Sequence, residues 1–372
     1  LEQRGLVTDS APSAAELLDL VALGTVADVV PFDINNRILV WQGLRRIRAG
    51  RCVPGIAALL AIARREQSQA VASDLGFAVA PRLNAAGRLT DMSIGIRCLL
   101  ADDPAEAHAL AEELDRLNDE RRQIEAKMQS EALAAVRVLA DPASGIARSG
   151  VCLFDAAWHQ GVVGLVASRL KERLRRPVIA FARTDESLLR GSARSVPGVH
   201  IRDVLDAMAT REPELIRKFG GHAMAAGLTL EVARLDAFAR AFDAQCALAL
   251  SARGSPDVIE TDGELTREEI ALPTAEALRA GGPWGPGFPE PLFDGLFAVS
   301  SARVVGERHV RLGLAAPEGR GEFSAIAFNY LDQGDNAATL PSGEVRLIYR
   351  LESNEYLGDR RLQIIVEHLF GA

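Results

Sequence analysis

Five short segments of this 372-residue chain carry the residue types from which anion-binding and hydrolytic sites are built. In LGTVADVVPF, residues 23–32, Asp28 is the one carboxylate in an apolar run. Burying it is costly unless something neutralises it. A hard divalent cation, which takes oxygen ligands, would do so. A helix cap or a pairing with arginine would serve as well, since one carboxylate does not make a metal site. In APRLNAAGRLTD, residues 80–91, Arg82 and Arg88 flank Asn84, two alanines and Gly87. Small residues let a ligand approach closely and guanidinium groups can grip phosphate. The alternative is a surface helix end with solvated arginines.

DAAWHQGVVGLVASRL, residues 155–170, falls between an expected strand and an expected helix, where free backbone N–H groups favour anions. There Trp158 could stack on a base and His159 could donate a hydrogen bond or a proton, with Gln160 beside them. A packed structural turn is the plainer reading. RGSARSVPGVHIRD, residues 190–203, puts Ser192, Arg194 and Ser195 at a strand end, as a phosphate clamp would. KFGGHAMAAG, residues 218–227, sets Gly220 and Gly221 before His222, a tight loop whose amides can face an anion. Glycine pairs also occur in plain turns. Neither a Walker loop nor a Rossmann fingerprint occurs.

Composition narrows the class. Hydrophobic residues make up 48% and charged residues 25%, the balance of a folded protein. No apolar run approaches the ~20 residues of a membrane span, so membrane, collagen-like and disordered chains are excluded. Cys52, Cys98, Cys152 and Cys246 form no C-x-x-C pair, which rejects a zinc ribbon and fits a reducing, cytoplasmic setting. The net charge of −8 rules out a polycation as a whole. Yet Lys127, Lys171 and Lys218 are the only lysines, and the arginines that carry the remaining positive charge favour planar, bidentate recognition of phosphate. A local basic groove is compatible with an acidic total. The chain starts at Leu1 without the pattern of a secretory signal, and reads as the C-terminal part of something longer.

These segments need elements to hold them. Residues 14–24 read as a helix capped by Ser13, with Glu16 completing a capping box and Gly24 as the stop. Helical patterns follow at 36–48, 54–65 and 93–100, then one long, narrowly striped helix from Pro104 to about Leu139, as expected of a connector. Strand, helix and strand at 151–154, 162–174 and 178–181 form a βαβ unit, with helices at 201–209 and 231–249. Short strands at 295–300, 302–306, 308–314, 322–328, 344–351 and 361–367 suggest a small barrel of the OB type. Trp284, Phe288, Phe293 and Phe297 there are either a stacking platform for bases or barrel core. The expected domains are 1–103, a helix at 104–140, 141–250 and 254–372.

In their order, LGTVADVVP, PRLNAAGR, the long helix, WHQGVVGLVASRL, GSARSVPG, HIRDVLD and FGGHAMAAG resemble the single-strand-specific 5′→3′ exonucleases of the DHH phosphodiesterase superfamily. GPWGPGFPEPLF, VGERHVRLGL and IYRLESNEYLGDRRLQIIVE look like their OB-type lobe. The resemblance covers essentially the whole chain. It implies an α/β fold: the remainder of a DHH catalytic lobe, a long connector helix, an α/β DHH-associated lobe and an all-β OB-like barrel. It implies that Asp28 is a catalytic ligand of a divalent metal pair, Mn2+ or Mg2+. It implies that Ser192 and Arg194, helped by Arg82 and Arg88, hold a 5′-phosphate. Asn84, Ser195, Gly220, Gly221 and His222 would then contact DNA, with Trp158, His159 and Gln160 as further candidates.

The implied reaction is attack of metal-activated water on the phosphodiester nearest the 5′ end, in DNA repair and recombination. The implied partners are single-stranded DNA, a single-strand-binding protein and a helicase, with a monomer and no membrane. The D-x-D pair and the Asp-His-His that names the superfamily are absent, and should lie upstream of position 1. A two-metal site needs several ligands, so this chain alone is expected to bind strands without cutting them. Two other classes remain open: a binding module without catalysis, and a phosphodiesterase for short oligonucleotides or cyclic dinucleotides. The OB-like lobe argues against the second.

Overall fold

The computed structural model describes residues 13–139, 148–252, 258–306, 308–315, 321–332, 340–356 and 359–371. They fall into two compact units: Leu1–Pro81 with Arg97–Ala111 and Ile259–Ala372, and Arg82–Ile96 with Glu112–Val258.

The first unit opens with Ser13, whose hydroxyl accepts from the Ala15 N–H at 3.3 Å and caps a 3-10 turn, Ala14–Leu17. That turn runs into α1 (Leu18–Ala27). The helix does not stop at Gly24. It closes on a Schellman arrangement, in which Val30 N–H donates to Thr25 O at 3.1 Å and Val29 N–H to Val26 O at 3.2 Å. Val29 adopts the left-handed φ of 56° that glycine usually supplies there. A β-branched residue at that φ costs on the order of 1–3 kcal/mol.

Asp33 caps α2 (Ile34–Arg48), accepting from Asn36 N–H at 2.8 Å. Helix α2 lies against α1 at Gly43, where a Cβ would stand 2.1 Å from Leu18 O and 2.5 Å from Ala22 Cβ. Pro54 starts α3 (Pro54–Ile62), where its missing N–H costs nothing. A short α4 (Ala72–Asp74) and a π-helical turn, Leu75–Val79, lead into α5 (Ala80–Leu89), followed by α6 (Ser93–Leu100) and the long α7 (Pro104–Leu139).

Later in the chain come β1 (Val151–Phe154), α8 (Val163–Leu174), β2 (Val178–Arg183), β3 (Leu188–Arg194) and α9 (Ile201–Arg211). They are followed by β4 (Lys218–Gly221), β5 (Ala225–Glu231), α10 (Leu235–Ser251) and α11 (Leu272–Gly281). The last five strands are β6 (Phe293–Val305), β7 (His309–Ala315), β8 (Glu322–Ala327), β9 (Gly343–Tyr356) and β10 (Asp359–Gly371).

Strands β6 to β10 close into a barrel in the order β10-β8-β7-β6-β9. The sequence separates 295–300 from 302–306, whereas the structure joins them in β6. A register shift against β7 between Val299 and Ser301 breaks the alternation of the pattern. Phe297, Leu312, Leu347, Tyr349 and Ile364 fill the interior, and burial raises the Tyr349 hydroxyl pKa.

Of the two readings open for the four aromatics, a stacking platform and a packed core, the structure favours packing. Phe293 and Phe297 are barrel core, at 7% and 2% exposure. Trp284 and Phe288 stack on each other at 5.0 Å, Arg37 of α2 covers the Phe288 ring at 3.5 Å, and Phe32 N–H donates to Pro286 O. These aromatics join the barrel to the N-terminal helices within the first unit.

The second unit is built on a five-stranded sheet, β1-β2-β3-β5-β4, with β1 and β2 parallel and the rest antiparallel. Its two faces differ. Ile179, Phe181, Leu189, Ala193, Leu228 and Leu230 point into a core with Leu205 and Met208 of α9 and Phe238 and Phe242 of α10. On the opposite face, α8 and α7 cover Val151, Leu153, Val178, Ala180 and Ala182, through Val163, Val166, Leu170, Met128 and Ala132. The apolar part of that cover lies over β1 and β2, and α8 also reaches β3. Among the described residues, no helix is long and apolar enough to cross a membrane.

The helical glycines of α1 and α2 give a direct test of packing. Gly43→Ala forces a methyl into the α1 backbone and should lower stability by about 1–3 kcal/mol. Gly24, with nothing within 4 Å of an added Cβ, should tolerate Gly24→Ala with a gain of about 0.5–1 kcal/mol from helix propensity. Thermal melting of both variants checks this; shifts of the same sign would contradict it.

Candidate functional site

Where α8 leaves the sheet uncovered, the second unit has a cleft of about 520 Å³. The alternation of β3 sends Leu189, Gly191 and Ala193 toward the core and Arg190, Ser192 and Arg194 to the cleft face. Arg194 donates through Nη1 to Ser192 Oγ at 2.8 Å and to Ala193 O at 2.9 Å. Its guanidinium lies against the first turn of α8 because Gly164 has no side chain: a Cβ there would stand 2.9 Å from Arg194 Nη2 and 3.0 Å from Ser192 Oγ.

The wall made by α5 is fitted as closely. A Cβ at Gly161 would fall 2.1 Å from Arg88 O, and Arg88 Nη1 donates to Gly161 O at 3.2 Å. Thus Arg88 and Arg194 face one cavity beside the N-terminus of α8, where the helix dipole adds positive potential. No carboxylate is among the described residues that line it. Arg194 is held below its ordinary pKa by burial first and then by the charge of Arg88. An anion entering the cleft would relieve both effects.

Not every residue singled out in the sequence reaches this cleft. Gly221 lines it, as does Gln160, whose amide donates to Arg183 O at 3.3 Å. Asn84 is exposed on α5, one turn before Arg88 and on the same helix face. His159 is exposed and accepts the Gly161 N–H through Nδ1 at 3.1 Å, which shapes the turn before α8. His222 and Gly220 are exposed; the pair Gly220–Gly221 ends strand β4 rather than forming a free loop, and Gly221 takes φ 153°.

Three assignments are corrected. Arg82 is buried and its Nε pairs with Asp115 at 2.8 Å, so it anchors α5 on α7. Ser195 is fully buried and donates to Val199 O at 2.6 Å, closing the turn before α9. Trp158 is 6% exposed, packs in the core beneath α8 and donates to Glu131 at 3.0 Å, so its face is closed to a base.

Asp28, in the first unit, is the exposed C-cap residue of α1, so the cost of burial does not arise. Among the described residues there is no group of three or more His, Cys, Asp or Glu that could hold a metal ion. These residues therefore do not fit a divalent ion by themselves. Arg190 also lines the cleft; its segment reads locally as a strand end, and only the full alternation of β3 places it on this face.

Residues 146–248 match the DHHA1 domain model and residues 261–368 the RecJ OB domain model. The class so defined is a DHHA1-domain protein with an OB barrel. The chain is 51% identical over 371 residues to the single-stranded-DNA-specific exonuclease RecJ of Dickeya dadantii, covering 99% of this chain and 63% of that protein. To the RecJ of Escherichia coli it is 50% identical over 362 residues, covering 96% and 62%. It matches the crystal structure of Thermus thermophilus RecJ in complex with Mg2+ at a TM-score of 0.79 and 30% identity, over 100% of this chain and 54% of that one. The Mn2+ complex matches at 0.79 and 32%, over 100% and 51%. The chain belongs to the RecJ family, and spans less than two thirds of the length of these relatives.

Gly164→Ala tests the cleft without substituting a charged residue. The added methyl meets the ends of the Arg194 and Ser192 side chains rather than backbone, so the fold should persist. Binding of a short 5′-phosphorylated DNA strand should weaken roughly tenfold, the worth of about one charge-assisted hydrogen bond. Unchanged affinity, read by fluorescence anisotropy, would remove the Gly164–Arg194 contact from the site.

Proposed function

We propose that this chain provides the strand-holding part of a single-stranded-DNA exonuclease of 5′→3′ polarity, and that the cleft of the second unit takes the 5′-terminal phosphate. The observation that carries this is Arg194, a half-buried guanidinium hydrogen-bonded to Ser192, beside Arg88 and with no carboxylate among the described lining residues. A terminal phosphate carries about −1.5 to −2 charges and offers several acceptor oxygens, so it answers both arginines and the Ser192 hydroxyl at once. An internal phosphodiester offers less charge. The names of the relatives support the substrate, and the OB barrel supports a strand rather than a small ligand.

The hydrolytic step belongs to the proposal for the whole enzyme. Relatives were crystallised with Mg2+ and Mn2+, but the described residues here do not assemble a metal site, and no step is assigned to one. The cellular role that follows is degradation of single strands in DNA repair and recombination, alongside a single-strand-binding protein and a helicase.

Two outcomes are expected. Wild-type chain should bind a 5′-phosphorylated strand roughly ten- to a hundredfold more tightly than its 5′-hydroxyl twin, as charge-assisted hydrogen bonds worth about 1.5–3 kcal/mol require. Arg194→Ala should erase most of that preference. Equal losses on both strands would reduce Arg194 to a general backbone contact. Second, the chain incubated with Mg2+ or Mn2+ should bind labelled strands and leave them uncut. Release of nucleotides that chelation by EDTA abolishes would show that Asp28 and its neighbours suffice for catalysis.

A further inference from the structure

The polar face of the second unit's sheet continues beyond Ser192 and Arg194. One row along the strands, Arg190 pairs with Thr229 of β5, and Thr229 with Lys218 of β4. Cross-strand partners point to the same face, as do alternate residues of one strand. These three side chains therefore share the face of Ser192. Arg190 and Lys218 are exposed and Thr229 is half-buried. Neither cation has an ion-pair partner among the described residues.

Between this row and that of Arg194 and Ala225 lies the row Ser192, Gly227 and Gly220. An added Cβ at Gly220 or Gly227 would meet nothing within 4 Å, so the middle row is an open floor. Rows on alternate residues stand about 6.6 Å apart, and the outer two therefore about 13 Å apart. Arg194 is turned onto Ser192 and the first turn of α8, and the charge it feels there is that of Arg88, not Arg190. One row beyond Arg190, Leu188 pairs with the exposed Glu231, which ends the basic strip.

We propose that Arg190, Thr229 and Lys218 form a second phosphate-binding row, which holds the backbone of a single strand inward of its terminal phosphate. The proposal rests on the reading of the cleft as the terminal-phosphate site and extends it to substrate class. A pocket for one phosphate cannot tell a nucleotide from a strand. Two rows separated by an open floor can, and they favour oligonucleotides that reach both.

The test uses the chain as it stands and three probes: thymidine 5′-monophosphate, a short 5′-phosphorylated oligothymidylate and the same oligomer with a 5′-hydroxyl. Arg190→Ala with Lys218→Ala should weaken binding of both oligomers about tenfold and lower the salt slope by about 1.4, at ~0.7 per lost contact. The melting temperature should not change, and Lys218→Ala alone, which alters no residue lining the cleft, should leave affinity for the mononucleotide and the preference for a 5′-phosphate as they are. Unchanged oligomer affinity and salt slope would overturn the proposal. A selective loss of 5′-phosphate preference would also overturn it, by making Arg190 part of the terminal site. If wild-type shows no 5′-phosphate preference, the terminal reading fails on its own, while the oligomer data still decide the second row. A wild-type chain that binds no strand would overturn both.

Discussion

Arg194 is a cation kept partly out of water next to another cation. Desolvation of a guanidinium is costly when no opposite charge answers it, and arginine does not escape the cost by losing its proton. The fold nonetheless builds this arrangement with close tolerances. Gly164 lets the guanidinium lie on the start of α8, Gly161 lets that turn touch the end of α5, and Ser192 fixes one nitrogen. Such local instability is stored at functional sites. The proposed terminal phosphate is an anion that would answer both charges.

The asymmetry of the sheet explains how the site can exist. One face is fully occupied by α9 and α10, which supplies the core. The other is covered by α7 and α8 over β1 and β2, with α8 reaching β3 at Gly164 and leaving β5 and β4 open. The uncovered part of that face must be polar or small, and β3, β5 and β4 meet this with Arg190, Ser192, Arg194, Thr229, Lys218 and the Gly220–Gly227 pair. The same strands thus supply the core through one set of alternating residues and the face of the proposed site through the other. In the first unit the surplus aromatic surface of the barrel is spent on Trp284, Phe288 and Phe32, which fasten it to the N-terminal helices.

Local patterns in the sequence reveal much of this, and its limits are physical. The strand–helix–strand order, the long α7 and the pair Ser192 and Arg194 are legible because each depends on spacing within a single element. Ser195, Trp158 and Arg82 have the right chemistry for nucleic acid, yet they are buried and satisfied by Val199, Glu131 and Asp115. Burial by distant segments leaves no local mark. Thr229 and Lys218 join Arg190 only through strand register, which no local pattern encodes. Val29 ends α1 in a conformation that glycine normally takes, so the nearby Gly24 suggests a false stop. Helix α11 falls between the helical and strand patterns legible in the sequence, and the bulge in β6 makes one strand read as two.

The most direct measurement is a crystal structure of this chain with a short 5′-phosphorylated DNA strand. The account predicts the terminal phosphate in the cleft, with oxygens about 2.7–3.2 Å from Arg194 and Ser192 and the strand passing over Gly227 and Gly220. A strand bound elsewhere, or bound in the cleft with its 5′ end facing solvent and Arg194 still folded onto Ser192, would contradict it.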